Sequence, residues 1–568
     1  MIHNPILPGF NPDPSIVRCG DDYYIATSTF EWFPAISIYH STNLKDWKLI
    51  THVIQDSKQL NLQRLPSAKG VWAPCLTYND QDQLFYITFS VMYSHYGRYF
   101  DLDNVFLTAP SIFGPWDGPY YLHSVGFDPS FFHDMDGKHY VVSLEWELRN
   151  GPGRPGAIVL QEYNPTSKSL TGPLQTIWNG GTRRGCLEGP HLYKRGEWYY
   201  LLCAEGGTGY GHCVTVARAR SVWGPYEGDP ENPILSASLD FDESDNADYL
   251  KPHRYNPASP LQKPGHGSLV ETPQGELYLA HLCARPILPE LRCTLGRETA
   301  LQRMYWTEDG WLRKKGGKIP DLFVAEPGEC TDTGAPHSAI SHTEVSGSNQ
   351  SSLSDLAVFE REHFDRDWNI NFMSPRYPPQ EFADLQSRPG YLRLYGQQSL
   401  CSLDRVALIA RRLTSLQAKV SCAMEFSPRD FRHSAGLVIY YDNLNYFFLR
   451  LTAETAGEDP HLMLTQLENG ERKERTGPCI QSVHRIYLKL EVHSRDLTFY
   501  WTSDNQAERS TDSAQWHSIG ETFDVSVLSD EYCTSGEFTG TMVGLACVDT
   551  LYRSNYADFD WFEYRAGL

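Results

Sequence analysis

Short apolar runs separated by turn residues recur along the chain from its start to about residue 320. Each copy has a polar entry, an apolar strand, a turn, a second aromatic-rich strand and two further strand-like runs. The second strand is close to a signature, and its five versions read DDYYIA, QLFYIT, KHYVVS, EWYYLL and ELYLAH. The turn residues before each of these strands, such as GDD and DMDG, predict a hairpin in every copy.

The repetition predicts a five-bladed β-propeller. The copies begin at Asp13, Trp72, Asp128, Glu188 and His266, with spacings of 59, 56, 60 and 78 residues. Repeats of this length with about four strands each are typical of propeller blades, which bury their faces only by stacking around an axis. A sandwich would have shorter strand spacing without this repetition.

A change of composition divides the chain into a predicted propeller (1–324), a linker (325–357) and a second domain (358–568). The linker is rich in Ser, Thr, Gly and Pro and poor in apolar residues. Alternating runs such as AGLVIYYDNLNYFFLRLT then return and predict an antiparallel β-sandwich of the concanavalin or jelly-roll kind. Because no long amphipathic pattern is present, the predicted fold class is all-β.

Composition narrows the classes of partner. With 49 basic and 70 acidic residues the formal net charge is −21, which disfavours nucleic acid and anionic membranes but not a neutral substrate. Aromatic residues reach 13 %, which suits both strands and the apolar faces of sugars.

The 13 cysteines form no C-x-x-C pairs, and the N-terminus has no signal-peptide pattern. We therefore expect a cytoplasmic protein, unless a leader was removed, with no membrane span and no nucleotide cofactor.

Three of the five repeats begin with an acid, at Asp13, Asp128 and Glu188. In a propeller the first strand of each blade lines the central channel, so we expect these side chains to converge at the same register. Hydrolysis of a glycosidic bond needs two carboxyl groups in different protonation states, and crowded carboxylates raise each other's pKa. Taken singly, the two aspartates could cap turns and Glu188 could be a solvated loop acid. Without distances, inversion and retention both remain open.

The chain resembles the two-domain β-xylosidases of glycoside hydrolase family 43. The likeness rests on NPILPGFNPDPSIVRCGDDYYIATSTFEWFPAISIYHSTNLKDW and on FDPSFF, LEGPHLY, GHGSLV, LGRETALQR and FTGTMVGLACVD. It implies an inverting enzyme that releases xylose from the non-reducing ends of β-1,4-xylo-oligosaccharides. By this resemblance Asp13 is the general base, Glu188 the general acid, and Asp128 tunes the pKa of the acid.

The resemblance also assigns residues to the wall of the substrate pocket. Arg297 in the GRET motif would contact the substrate, with an ion pair to Glu298 as the alternative. Phe538 in GEFTGTMVG would reach the pocket from the second domain, with packing inside the sandwich as the alternative. Apolar walls are expected from three further residues, Trp72, Phe30 and Trp146, with packing within the blades as the alternative for the two tryptophans.

His266 lies near the predicted axis, where relatives have an ion or water site that sometimes holds calcium. A lone histidine without clustered ligands is usually only hydrogen-bonded, so no metal is expected to be required and Ca²⁺ stays an open alternative. The segment from His133 to Gly137 lacks the later ligands of a calcium loop and is interpreted as a hairpin turn. The sequence also leaves a homo-oligomer open.

Two alternatives to a β-xylosidase remain at this point. The first is an enzyme that acts mainly, or as a side activity, as an α-L-arabinofuranosidase, because the two pentoses are similar in shape. The second is a non-catalytic carbohydrate-binding protein, because propellers and sandwiches also serve as lectins. A lectin has no need of three acids at the mouth of the channel, so the sequence favours the enzyme.

Overall fold

The computed structural model describes residues 1–149, 156–238, 254–329, 357–365, 367–480, 485–535 and 538–567. These residues contain one short α-helix, α1 (Gln506–Arg509), and 3₁₀ turns at Pro379–Glu381 and Val525–Val527. No helix in this described part is long and apolar enough to cross a membrane. Nearly all remaining regular structure is strand, which confirms the predicted all-β class.

Strands of the N-terminal region follow the predicted repeats. In chain order they are β1 (Ile2–His3), β2 (Ser15–Cys19), β3 (Asp22–Thr27), β4 (Trp32–Phe33), β5 (Ala35–Ser41), β6 (Lys48–Ile54), β7 (Gly70–Asn79), β8 (Leu84–Tyr96), β9 (Tyr99–Ala109), β10 (Asp117–His123), β11 (Ser130–His133), β12 (His139–Trp146), β13 (Gly156–Asn164), β14 (Ser169–Trp178), β15 (Glu188–Arg195), β16 (Trp198–Glu205), β17 (Cys213–Ala219), β18 (Glu227–Gly228), β19 (Leu235–Ser236), β20 (Gln262–Glu271), β21 (Leu277–Ala284), β22 (Glu298–Trp306), β23 (Leu312–Lys314) and β24 (Phe323–Val324).

Successive antiparallel sheets of this region form a ring. Their strand orders are β2-β3-β5-β6, β7-β8-β9-β10, β11-β12-β13-β14, β15-β16-β17-β18 with β19 added to β17, and β20-β21-β22-β23. The first strands β2, β7, β11, β15 and β20 contact one another in this order, and β20 contacts β2. Sheets that close on themselves around an axis in this way define the predicted β-propeller.

Burial decreases from the inner to the outer strands of these sheets. Strand β21 is buried at every position, because neighbouring sheets cover both of its faces. Strand β14, the outermost of the third sheet, leaves most of its residues exposed. The second strands therefore appear in the sequence as nearly continuous apolar runs, as expected for strands that are covered on both sides.

The C-terminal region is the predicted sandwich. Its strands are β25 (Val358–Glu362), β26 (Ser374–Pro375), β27 (Ala383–Asp384), β28 (Leu392–Tyr395), β29 (Ala407–Arg412), β30 (Gln417–Glu425), β31 (His433–Asp442), β32 (Asn445–Thr452), β33 (His461–Glu468), β34 (Glu471–Cys479), β35 (Ile486–His493), β36 (Asp496–Thr502), β37 (His517–Asp524), β38 (Met542–Asp549) and β39 (Tyr556–Ala566). One sheet has the order β27-β28-β39-β30-β35-β36-β37 with β25 beside β39, and the other has β29-β38-β31-β32-β33-β34. A large apolar core lies between the two sheets.

Buried contacts join the two regions. Strand β26 of the second region pairs with β4 of the propeller. Arg412 at the end of β29 donates from Nε to the carbonyl of Phe10 at 2.5 Å and from Nη2 to the hydroxyl of Ser37 at 2.9 Å. Most of the predicted linker 325–357 lies outside the described residues, so the domain bounds at 324 and 358 stay predictions.

Candidate active site

A partly enclosed cavity of about 240 Å³ lies where the first strands of the propeller sheets converge. All nine site residues named from the sequence line it, namely Asp13, Phe30, Trp72, Asp128, Trp146, Glu188, His266, Arg297 and Phe538. Pockets for drug-sized ligands occupy roughly 300–1,000 Å³, so this smaller cavity suits a compact end group better than a long chain segment.

Left-handed backbone turns three of these side chains toward the axis. Asp13, Asp128 and His266 have φ values of 54°, 57° and 49°, a conformation that is uncommon for residues other than glycine. Each lies two residues before a serine that pairs with the second strand of its sheet. Such strain is retained where the surroundings enforce it, and here it directs polar groups into one cavity.

The expectation that the three acids share one register is wrong for Glu188. Glu188 lies directly before the irregularity in the pairing of β15 with β16. The corresponding position in the second sheet is that of Trp72. Gly189 follows Glu188 and, with φ 56°, takes the position of Asp13 and Asp128. A Cβ at Gly189 would lie only 3.0 Å from the imidazole of His266, so a side chain there would be tightly packed. The acid of this sheet stands one residue earlier, at Glu188.

Asp13 is held by two donors. The hydroxyl of Ser28 donates to Oδ2 at 2.7 Å, and Nη1 of Arg297 donates to Oδ1 at 2.8 Å. The side chain is 7 % exposed, so this charge-assisted contact acts in a poorly hydrated environment. The two contacts fix the orientation of the carboxylate, and the guanidinium of Arg297 partly balances its negative charge.

Asp128 connects the aspartates to the segment that carries the third acid. Its Oδ2 accepts from the backbone N–H of Gly189 at 2.9 Å, directly beside Glu188. Burial raises the pKa of Asp128 to about 6, and the nearby charge of Asp13 adds to this increase. The charges of His266 and Arg297 and the bond from Gly189 oppose it.

Glu188 has the environment of a proton donor. Burial raises its pKa well above the usual value for a glutamate, and the negative charges of Asp128 and Asp13 raise it further, while Arg297 opposes them. Nε2 of His212 lies 3.7 Å from its Oε1, and burial holds the pKa of this histidine well below the usual value. The neutral ring adds no positive charge that would favour ionisation, so the glutamic acid form persists toward neutral pH.

Arg297 links the acid cluster to the second domain. Besides its bond to Asp13, its Nη2 donates to the carbonyl of Phe538 at 3.0 Å. The ion pair with Glu298 that the sequence left as an alternative does not form, because Glu298 binds Arg285, with Nε and Oε2 2.8 Å apart. The arginine is therefore free of its sequence neighbour and lies in the wall of the cavity.

Aromatic rings make up the remaining wall. The centroid of Trp72 lies 5.9 Å from that of Phe30 and 6.0 Å from that of Phe538, which comes from the second domain. The indole N–H of Trp72 donates to the carbonyl of Ala68 at 3.0 Å, and that of Trp146 donates to the backbone carbonyl of Arg98 at 3.0 Å. With their polar edges occupied, both indoles contribute apolar surface to the cavity.

Several lining residues were not named from the sequence, namely Ala73, His95, Gly97, Phe100, Phe127, Cys186, Gly207 and Thr208. Phe127 could have been found, because it stands in its repeat where Trp72 stands in the second repeat. His95 and Phe100 come from the long hairpin β8–β9, and Gly207 and Thr208 from the segment after β16. Nothing in the repeat pattern marks such loop residues as neighbours of the acids.

His266 was the candidate for a central ion site. Its Nδ1 lies 4.0 Å from Oδ1 of Asp13, and its ring centroid lies 6.2 Å from that of His191. Within the described ranges no group of three His, Cys, Asp or Glu side chains is arranged to hold a metal ion. The segment His133–Gly137 joins β11 to β12 as the expected hairpin turn.

A cavity that combines an arginine-bound carboxylate, a glutamic acid of raised pKa and aromatic walls on a propeller axis is characteristic of glycoside hydrolases. The family model "Glycosyl hydrolases family 43" matches residues 2–312, and "Beta xylosidase C-terminal Concanavalin A-like domain" matches residues 361–565. The chain therefore belongs to glycosyl hydrolase family 43, as its resemblance in sequence implied.

Similar proteins match over nearly the full length. The chain is 39 % identical over 578 residues to "Beta-xylosidase" of Bacillus subtilis (strain 168), covering 99 % of both chains. It is 38 % identical over 573 residues to "Xylosidase/arabinosidase 43B" of Humicola insolens, covering 100 % of this chain and 98 % of that protein. The crystal structure of xylan beta-1,4-xylosidase from Bacillus halodurans C-125 superposes with a TM-score of 0.87 at 40 % identity and covers 100 % of both chains.

Proposed function

We propose that this glycoside hydrolase releases single xylose units from the non-reducing ends of β-1,4-xylo-oligosaccharides with inversion. The observation that carries the proposal is the cavity itself, in which Arg297 binds the carboxylate of Asp13 while burial and two nearby carboxylates raise the pKa of Glu188. Its small volume and the wall contributed by Phe538 support action on chain ends. The similar proteins named as xylosidases support the choice of sugar.

In the proposed single displacement, Asp13 accepts a proton from water while the water oxygen bonds to the anomeric carbon. The bond from this carbon to the glycosidic oxygen breaks, and its electron pair stays with that oxygen. Glu188 donates its proton to the departing oxygen, which leaves as a neutral hydroxyl. Both carboxyl groups then return to their starting forms by proton exchange with solvent.

The other residues are proposed to prepare these two groups. Asp128 raises the pKa of Glu188 by its charge and holds the backbone beside it through Gly189. Arg297 orients Asp13 and presents its guanidinium to the sugar hydroxyls. The rings of Phe30, Trp72 and Trp146 would cover the apolar faces of the bound sugars.

We propose that the reaction requires no metal ion. Acid and base functions are both supplied by carboxyl groups, and His266 has only Asp13 within 4.0 Å as a charged partner among the described residues. In the Ca²⁺ alternative a calcium ion would bind beside this imidazole. Dialysis against a chelator followed by addition of CaCl₂ measures it directly, and we expect unchanged turnover in both steps.

Proton NMR of a xylobiose digest tests the stereochemistry. Direct attack by water on a β-linked xylose gives α-xylose, so the α-anomeric signal is expected to appear first and the β signal to grow by mutarotation. A control solution of free xylose at mutarotation equilibrium gives the final ratio of the two anomeric signals. An early excess of β-xylose would contradict the single displacement.

The second candidate activity is that of an α-L-arabinofuranosidase. It is favoured by the name of the Humicola insolens relative and by "Non-reducing end alpha-L-arabinofuranosidase BoGH43B" of Bacteroides ovatus, 31 % identical over 565 residues. We expect kcat/KM to be higher on p-nitrophenyl β-xyloside than on p-nitrophenyl α-arabinofuranoside, with measurable release from both. A higher value on the arabinoside would reverse the ranking.

We also propose that the protein acts in the cytoplasm on imported oligosaccharides. Eleven cysteines of the described residues, among them Cys203 of β16 and Cys283 of β21, are free thiols, as expected for a reducing compartment. Fractionation of source cells with an antibody against the chain tests this, and a signal confined to the medium would overturn it.

A further inference from the structure

A buried ion pair crosses the boundary between the two domains. Lys263 of β20 and Glu531, in the segment between β37 and β38, have side chains that are 1 % and 2 % exposed. The second oxygen of Glu531 accepts from the backbone N–H of Cys293 at 2.8 Å. Burying two charges is costly and seldom adds stability over an apolar pair, so such a pair is better suited to fixing one relative position of the parts that it joins.

The residue before Glu531 makes the complementary contacts. Asp530 is 1 % exposed, and its Oδ1 accepts from the hydroxyl of Tyr441 in β31 and from the backbone N–H of Phe538 at 3.0 Å. Two consecutive acids therefore point in different directions. One holds the propeller strand that carries His266, and the other holds the sandwich and the backbone of the aromatic wall residue.

The backbone after Phe538 is also fixed against the propeller. The N–H of Thr541 donates to the carbonyl of Thr294 at 3.2 Å. A Cβ at Gly296 would lie 2.6 Å from the carbonyl oxygen of Thr539. The two backbone segments therefore pass each other at a distance that only glycine permits. This contact occurs directly before Arg297, which itself binds the carbonyl of Phe538.

We propose that Glu531, together with Lys263 and Asp530, is a positioning residue that sets the place of the Phe538 ring in the wall of the cavity. Phe538 has a left-handed backbone, with φ 77°, so it needs external contacts to keep its ring against Trp72. Asp530 supplies one of these contacts at the backbone N–H of Phe538, and the adjacent charge pair of Glu531 with Lys263 ties the same segment to β20. The fit of the terminal sugar follows from the resulting position of the ring. The proposal deepens the proposed function and rests on it for the substrate.

A double-mutant cycle on the full-length enzyme tests this role. We expect Glu531→Gln to lower kcat/KM on p-nitrophenyl β-xyloside by about tenfold or more, since a shift near 1 Å in a binding wall can cost up to ~10²-fold. Phe538→Ala is expected to cause a loss of similar size. If the acid acts through the ring, the double variant is expected to be within about twofold of Phe538→Ala, whereas independent effects would multiply.

Multiplicative losses in the cycle would overturn the proposal, because a general structural role lowers kcat/KM whether or not the ring is present. So would unchanged kcat/KM in Glu531→Gln. The wild-type rates on the xyloside and the arabinoside are measured first, and the cycle uses the better substrate. Failure of the proposed function would appear as absent wild-type turnover, which is distinct from failure of the cycle.

Two further variants separate position from stability. Arg495→Gln removes another ion pair between the domains, with Glu290, that lies at the surface with the arginine side chain 42 % exposed. We expect it to keep kcat/KM within about twofold, and a tenfold loss there would contradict the proposal. If Glu531→Gln does not fold, Lys263→Met/Glu531→Leu removes both charges, and it is expected to fold with the same loss of kcat/KM. Full activity of this double variant would contradict the positioning role.

Discussion

Replacing Glu188 by glutamine is expected to lower kcat on xylobiose by about 10²–10⁴-fold, the usual contribution of general acid catalysis. The amide has the size of the carboxyl group but no acidic proton to give to the departing oxygen. The alkaline limb of the kcat/KM profile should disappear as well. In the wild type, activity is lost as pH rises through the raised pKa of Glu188, because only the protonated form is productive.

A change of leaving group supplies the control. A dinitrophenolate departs without a proton, so Glu188→Gln is expected to hydrolyse dinitrophenyl β-xyloside at a rate close to that of the wild type. Equal losses on both substrates would mean that Glu188 does not donate the proton. The charged groups that face Glu188 remain in place in this variant, namely Asp13, Asp128 and Arg297. The neutral ring of His212 and the thiol of Cys186 also remain.

Replacing Asp13 by alanine is expected to lower kcat by about 10²–10⁴-fold on every substrate, whatever its leaving group. Water must still be activated when the aglycone departs unaided, so the loss should not depend on the aglycone. Steady-state rates on xylobiose and on dinitrophenyl β-xyloside measure this directly. Circular dichroism confirms that the variant is folded.

A matched carboxylate outside the cavity makes the test of Asp13 specific. Asp134 is a buried aspartate of the same propeller, and its Oδ1 lies 2.6 Å from Nζ of Lys194. Asp134→Asn is expected to lower the melting temperature while leaving kcat within about twofold. Unchanged turnover in Asp13→Ala would remove that residue from the mechanism.

The opposite responses of these two variants to the leaving group follow from how differently the structure treats two chemically similar side chains. Asp13 has an arginine and a serine on its two oxygens, whereas Glu188 has neighbours that are neutral or negative, apart from Arg297. Environment rather than residue type divides the roles of acid and base, as in other glycosidases. Arg297 maintains this division, because its hydrogen bond goes to the carboxylate of Asp13.

The repeat pattern determined most of the architecture. Strand pairing in each propeller sheet is local, because β2 and β3 or β11 and β12 are joined by short turns, so period and turn residues suffice to predict them. The entry of each repeat at the axis follows from the same pattern, and it led to Asp13 and Asp128. The resemblance in sequence then added the roles of these residues.

Only the tertiary structure decided how the site is assembled. Arg297 binds Asp13, a residue 284 positions earlier, instead of its neighbour Glu298, because ring closure brings the fifth sheet beside the first. In the fourth sheet the acid stands one residue before the register position of Asp13 and Asp128, which Gly189 occupies in close contact with His266. The raised pKa of Glu188 depends on burial and on charges from two other sheets, none of which is encoded in the LEGP segment alone. Local patterns specify strands and turns, whereas a cavity forms from contacts between residues that are distant in sequence, and these depend on how the whole chain packs.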